Sequence, residues 1–323
     1  MIQNVYIASC CREGGIYHYR MDDSGKCTLA AVTPADRPMF MAISENRMYV
    51  TLRDPWDTGE SGVLSFKMDA EGFLRNPSAL QSTKGITACH ILVDNGEVFC
   101  ANYRSGSVIK LPDILVQHTG CGPNRDRQES SHPHFVGLTP DRKYVCTADL
   151  GTDSIYLYDR ELNLQSRVRA PLGHGPRHLA FHESGRYLFC VNELESTVSV
   201  YAYREGPAEY LSLASALPEG YGGESYSAAI RVLGDEVFVS NRGHDSVARM
   251  RFSEERLTLV ETIDCRGRTP RDIWFTGKYL LSANQDSNTV TVLDLEHNGS
   301  LTQVLKIPVP LCILTVEVEE NGK

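Results

Sequence analysis

The sequence predicts an all-β fold, a seven-bladed β-propeller of four-stranded antiparallel blades, and three observations carry that expectation. A unit recurs along the chain: a short apolar run, an Asn or Asp, a few polar or small residues, then a second alternating run. The residues that end the first runs are Cys10, Arg53, Asn102, Asp149, Asn192, Asn241 and Asn284, at spacings of 43, 49, 47, 43, 49 and 43. The runs themselves are short, rich in Val, Ile, Tyr and Phe and bounded by turn residues, which is the pattern of strands rather than helices. Units of this size fill all 323 residues, so 1–323 reads as a single propeller domain with minimal helix.

The clearest copies are "EVFCANYRSGSVIKL", "YVCTADLGTDSIYLY", "YLFCVNELESTVSVY", "EVFVSNRGHDSVARM" and "YLLSANQDSNTVTVL", preceded by the degenerate "NVYIASCCREGGIYHY" and "RMYVTLRDPWDTGESGVLSF". Ahead of most of them lies another apolar run and a tight turn, as in "HLAFHESGRY" and "AIRVLGDEV", where Gly, Asp and Asn supply hairpin dihedrals. The first unit has no such partner before it, whereas "IPVPLCILTVEV" near the C-terminus is a strand with nothing after it. That last strand is therefore expected to complete the first blade and close the ring. The recurring Asn and Asp markers are expected to bond turn backbone just after their strands.

Composition bounds the function. Hydrophobic residues are 41% and charged residues 23%, ordinary for a chain with a large core. A net charge of -9 argues against nucleic acid or an anionic membrane as partner. No signal-peptide run or membrane-length apolar segment is visible, so a cytoplasmic location is expected. Ten cysteines without paired CxxC spacing read as free, mostly buried thiols. The run His174, His178, His182 crosses a loop and a strand, so its spacing of four does not make a metal face, and no metal is expected.

In each hairpin the start of the inner strand and the end of its partner lie on one face of the disc. Starts supply Arg37, His90, His134, Arg177 with His178, Ser227 and Arg271; ends supply Arg53, Asn102, Asp149, Glu193, Arg242 and Gln285. His134 aligns with Arg177, each ten residues ahead of a tyrosine, Tyr144 and Tyr187. An Arg- and His-rich mouth in an acidic protein favours an anionic small molecule, since Arg offers planar paired donors to carboxylate or phosphate. An Arg177 to Glu193 salt bridge that only stiffens the mouth is the plainer reading of that pair.

"GPRHLAFHESGRYLFCVNELESTVSVY", with "HFVGLTPDRKYVCTADLGTDSIYLY", "VFVSNRGHDSVA" and "TPRDIWF", resembles the seven-bladed propeller lactonases, which include the propeller type of 6-phosphogluconolactonase and the fungal 3-carboxy-cis,cis-muconate lactonizing enzyme. The resemblance spans essentially the whole chain and is strongest from His134 to Val292. It implies a site formed by His134, Arg177 and Glu193, with Asp149, His178 and Arg242 close by, and no metal or organic cofactor. The expected reaction is hydrolysis of an anionic sugar lactone such as 6-phosphoglucono-1,5-lactone. Glu193 or His134 is then the base, Arg177 stabilises the oxyanion, and Arg242 with Arg271 holds the anionic group. Ring closure of a carboxymuconate-type acid is the alternative chemistry, and a non-catalytic scaffold the alternative class.

Overall fold

The computed structural model describes residues 3–204 and 206–317, wound into seven antiparallel sheets. Each sheet is one blade, and blade five shows the rule. Its strands Pro176–Phe181, Tyr187–Asn192, Thr197–Ala202 and Glu209–Ser215 pair in chain order from the centre outwards. The second strand reads YLFCVN and is buried on both faces beyond Tyr187, because neighbouring blades cover it. The outermost strand alternates towards solvent. Only two helical turns occur among the described residues, the 3-10 segments Gln285–Ser287 and Leu295–His297.

The ring closes as the sequence requires. The strand Pro310–Glu317 lies innermost in blade one, antiparallel to Gln3–Ser9, with Ile7 opposite Ile313. Asp272 of blade seven accepts the Ile313 N–H at 2.8 Å, and Val5, Ile7 and Ile313 pack with Leu281, Val290 and Val292 of blade seven. Blade two departs from four regular strands. Its outer edge is split into Leu74–Arg75 and Gln81–Ile86 around Asn76 and Pro77, where Asn76 has a φ of 48° and Pro77 has no N–H to donate. Apolar side chains between facing blades form the core; Phe189 and Val191 of blade five, for example, pack with Val237, Val239 and Met250 of blade six.

Among the recurring residues Asp149 makes the turn-backbone bond expected of them, accepting from the Thr152 N–H, whereas the asparagines bond elsewhere. Asn102 donates to Thr83 O at 3.0 Å, Asn241 to Ala216 O at 2.8 Å and Asn284 to Cys265 O at 3.4 Å, in each case reaching the preceding blade. Asn192 instead bonds Thr197 Oγ1 and Ser199 Oγ in its own blade. The buried amides of Asn102, Asn241 and Asn284 thus hold neighbouring blades in register.

A second device recurs at the start of the inner strands. Pro133 faces Asp149 and Phe135 faces Ala148, which leaves His134 as an extra residue with no partner of its own. The same one-residue bulge leaves out Arg177 between Pro176 and His178, and Arg271 between Pro270 and Asp272. In blades one to three it falls on Leu311, Met39 and Cys89. A bulge re-aims the extra side chain away from the sheet's normal alternation. The mouth therefore carries a ring of bulge residues. Leu311, Met39 and Cys89 form an apolar cluster with Cys10, whereas His134, Arg177 and Arg271 are polar.

Candidate active site

Glu193 follows the second strand of blade five, and its N–H donates to Gly175 O at 2.7 Å just ahead of the bulge that presents Arg177. Gly175 has a φ of 66°, and a Cβ there would lie 2.7 Å from Leu194 Cγ, so the close approach of the two segments requires glycine. Arg177 and Glu193 are both buried, with Arg177 Nε 3.0 Å from Glu193 Oε2. Arg242 Nη2 reaches the same oxygen at 3.0 Å and is steadied by Nε donating to Tyr226 O at 3.1 Å. Gly243, at φ 100°, lets the chain turn there beneath Glu224 O. The other carboxylate oxygen, Oε1, pairs with Arg127. Burial disfavours the Glu193 carboxylate, but the charges of Arg242, Arg177 and Arg127 hold its pKa well below the ordinary value.

A pocket of about 190 Å³ opens above this cluster, lined by His134, Glu193, Arg242, Arg271, Arg127, Arg53, Arg104, Tyr103, Thr87 and Cys89. Five arginines thus face one carboxylate in a protein of net charge -9. Burial together with the Arg177 charge pushes the His134 pKa well down, so its imidazole is neutral at neutral pH, and Nδ1 is buried without a hydrogen-bond partner among the described residues. Burial likewise pushes the Cys89 thiol up to about 12, which leaves no thiolate to act as nucleophile. Arg271 makes one long contact, to Gln285 Oε1 at 3.4 Å.

The residues singled out from sequence fall into three positions. His134, Glu193, Arg242 and Arg271 line the pocket. Arg177 lies beneath its wall, with Nη1 donating to Ala228 O at 2.6 Å and sitting 3.3 Å from His178 Nε2. His178 is one layer deeper still, in an aromatic plug where His90 packs between Phe40 at 4.1 Å and Phe135 at 4.5 Å, and His178 meets His90 at 5.1 Å and His134 at 5.3 Å. Asp149 is not among the lining residues: its carboxylate accepts from the His132 N–H at 2.7 Å and the Thr152 N–H at 3.2 Å, and pairs with His118 Nδ1 at 2.7 Å. Arg37, counted from sequence among the mouth residues, is consumed by Asp36, Asp54 and Asp57.

A family model described as "Lactonase, 7-bladed beta-propeller" matches residues 4–315. The chain belongs to this lactonase family. A relative named 6-phosphogluconolactonase from Bacillus subtilis is 31% identical over 93% of each chain. An uncharacterized protein of Lactococcus lactis subsp. cremoris is 35% identical over 89% of this chain and 90% of that one. Among solved structures, the Pseudomonas aeruginosa periplasmic gluconolactonase superposes with a TM-score of 0.88 at 26% identity, covering 98% of this lactonase-family chain and 100% of its own.

Arg127 is one of the lining residues that sequence reasoning passed over, with Arg104, Thr87 and Cys89. It sits in residues 118–132, the connection between the outer strand of blade three and the inner strand of blade four. Gln128 pins that connection from within by donating to Leu150 O at 2.8 Å and Asp153 Oδ1 at 2.7 Å, and Arg127 then reaches Glu193 and the Tyr226 ring. The signal available was its length, since loops of that size without regular structure commonly carry function.

Proposed function

We propose that this member of the lactonase family hydrolyses an anionic sugar lactone, 6-phosphoglucono-1,5-lactone in the first instance. The observation that carries the reading is a neutral histidine with an unpartnered nitrogen facing one carboxylate inside an arginine-rich pocket. The Bacillus relative's name supplies the substrate and the direction of reaction.

Lactone hydrolysis needs a proton acceptor for water, a counter-charge for the oxyanion and a grip on the substrate. His134 is the better acceptor of the two candidates, because both oxygens of Glu193 are held by guanidinium groups. His134 takes a proton as water oxygen bonds the carbonyl carbon, then returns it to the ring oxygen as the carbon–oxygen bond of the ring breaks. Glu193 stabilises the transient imidazolium and fixes the arginines around it. Arg271, with little else to bond, meets the developing oxyanion beside Arg242. Arg177, below the wall, serves as a positioning residue for Glu193. A cytoplasmic location belongs to this proposal and rests on ten free cysteines, eight of them buried.

The test is the hydrolysis rate of freshly generated 6-phosphoglucono-1,5-lactone above its spontaneous background, with His134→Gln and Glu193→Gln alongside. Acceleration that both variants lose supports the reading; a wild-type rate equal to background overturns it.

A further inference from the structure

The arginines of the pocket are not equivalent. Arg127 and Arg242 are committed to Glu193, and Arg271 leans on Gln285. Arg53 and Arg104 line the same pocket, yet neither guanidinium has a hydrogen-bond or ion-pair partner among the described residues. The acids nearest Arg53 in sequence do not neutralise it: Asp54 and Asp57 are bound by Arg37, and Asp57 also by Arg12. Both are solvent-exposed at the rim of a pocket already rich in positive charge, where their forked donors are open to an anionic ligand.

Their place in the ring is also specific. Arg53 follows the second strand of blade two, Arg47–Leu52, and Arg104 follows that of blade three, Glu97–Asn102. Glu193 and Arg242 occupy the position of Arg53 in blades five and six, and Arg104 lies one residue beyond that position in blade three. The blades pack in sequence order around the ring, so the unpaired pair stands across the mouth from the Glu193 cluster. Between them, the floor on the side of blades one to three is the apolar group Leu311, Met39 and Cys89.

We propose that Arg53 and Arg104 form the subsite for the anionic tail of the substrate, and that the tail is a phosphate monoester. This rests on the lactonase reading for its orientation: the ester carbonyl at Arg271 and His134, the charged end at the opposite rim. A phosphate has two charges and three acceptor oxygens, enough to engage two forked donors at once, whereas a neutral hydroxymethyl group leaves both unpaired. The subsite separates a phosphorylated sugar lactone from the unphosphorylated one. Remote binding of this kind lets the enzyme hold the tail while the reacting end is positioned.

The experiment compares binding of 6-phosphogluconate and gluconate by calorimetry at low ionic strength, in the wild type, in R53Q/R104Q, and in R186Q/R256Q, which removes equal charge from exposed positions outside the pocket. Two lost charged hydrogen-bond sets correspond to about a hundred-fold in affinity. The wild type is expected to prefer 6-phosphogluconate by about a hundred-fold, R186Q/R256Q to keep that ratio, and R53Q/R104Q to lose it. The single variants R53Q and R104Q read the same ratio should the double variant melt early. Retention of the ratio in R53Q/R104Q, or its absence from the wild type, overturns the subsite. A wild type that keeps the ratio but hydrolyses no lactone overturns the lactonase reading and leaves the subsite standing.

Discussion

Arg177 Nε lies 3.0 Å from Glu193 Oε2 with both side chains buried, so the pair that closes the floor of the pocket is a desolvated one. Glu193 is shared among three guanidinium groups, and its removal leaves buried Arg177 without a counter-charge. Glu193→Gln is accordingly expected to cost about 3–5 kcal/mol of stability as well as activity, because a buried charge left unpaired is more costly than the pair was beneficial. Urea denaturation of the variant beside its turnover checks this. Unchanged stability with lost turnover would mean that the arginines relax into solvent, and that the carboxylate acts on the reaction alone.

His134→Gln should lower kcat by about 10²–10⁴ while leaving substrate binding within a few-fold, as expected for loss of a proton acceptor. The pH profile adds a sign. A base must be unprotonated to act, and burial with the Arg177 charge pushes the His134 pKa well below 6.5. The acid limb of kcat/KM is thus expected below pH 6.5, with no loss between pH 8 and 6.5. A limb centred near the ordinary histidine value would exclude His134 as placed here.

Much of this site was legible from strand counting. Seven marker positions delimit the blades, and the antiparallel hairpin alone places Arg177 and Glu193 on one face. Alignment of His134 with Arg177 held because both are the extra residue of the same bulge. The equivalent position falls elsewhere in blades two and three, at Met39 and Cys89, two residues from Arg37 and one from His90, because a bulge upsets the residue count and leaves no mark in composition. Nor does strand counting show what a buried carboxylate bonds. Asp149 looks like a mouth residue in sequence and is spent on His118, His132 and Thr152.

The aromatic plug makes the fold acid-sensitive. Burial and the charges of Arg231 and Arg177 push the His90 pKa down to about 3, and burial with Arg177 pushes His178 well down too. In the unfolded chain both protonate near 6.5, so below that pH the unfolded state binds more protons and stability falls with pH. The loss amounts to about 1.4 kcal/mol per pH unit for each such histidine until the folded pKa is reached. Urea midpoints at pH 7 and pH 5 are expected to differ strongly in the wild type and less in His90→Phe, which fits between Phe40 and Phe135. An equal pH dependence in the two would show that the plug histidines are not its source.

Asp149→Asn separates framework from substrate contact. The carboxylate ties blade four to His118 of the preceding blade, and His118 Nε2 lies 2.7 Å from the Tyr158 hydroxyl, so the change weakens a buried network. About 2–3 kcal/mol of stability is expected to be lost, with KM for the lactone within about three-fold of wild type. A large rise in KM at unchanged stability would instead place Asp149 in contact with substrate.

Closure by the final strand is the feature on which every other depends. Pro310–Glu317 supplies the inner strand of blade one, the bulge residue Leu311, and the Ile313 N–H that satisfies buried Asp272. Deleting residues 308–323, of which 318–323 lie outside the described residues, removes a whole edge of the ring and uncovers Val5, Ile7, Leu281 and Val290 at once. At about 25 cal/mol per Å² of apolar surface, losing one strand from a closed core exceeds the 5–15 kcal/mol that typically holds a domain folded. The truncated chain is therefore expected to show no cooperative thermal transition, whereas deletion of 318–323 alone leaves the paired strand in place and should keep one. A truncation lacking 308–323 that still melts cooperatively would mean that six blades and a remnant are sufficient to hold the ring.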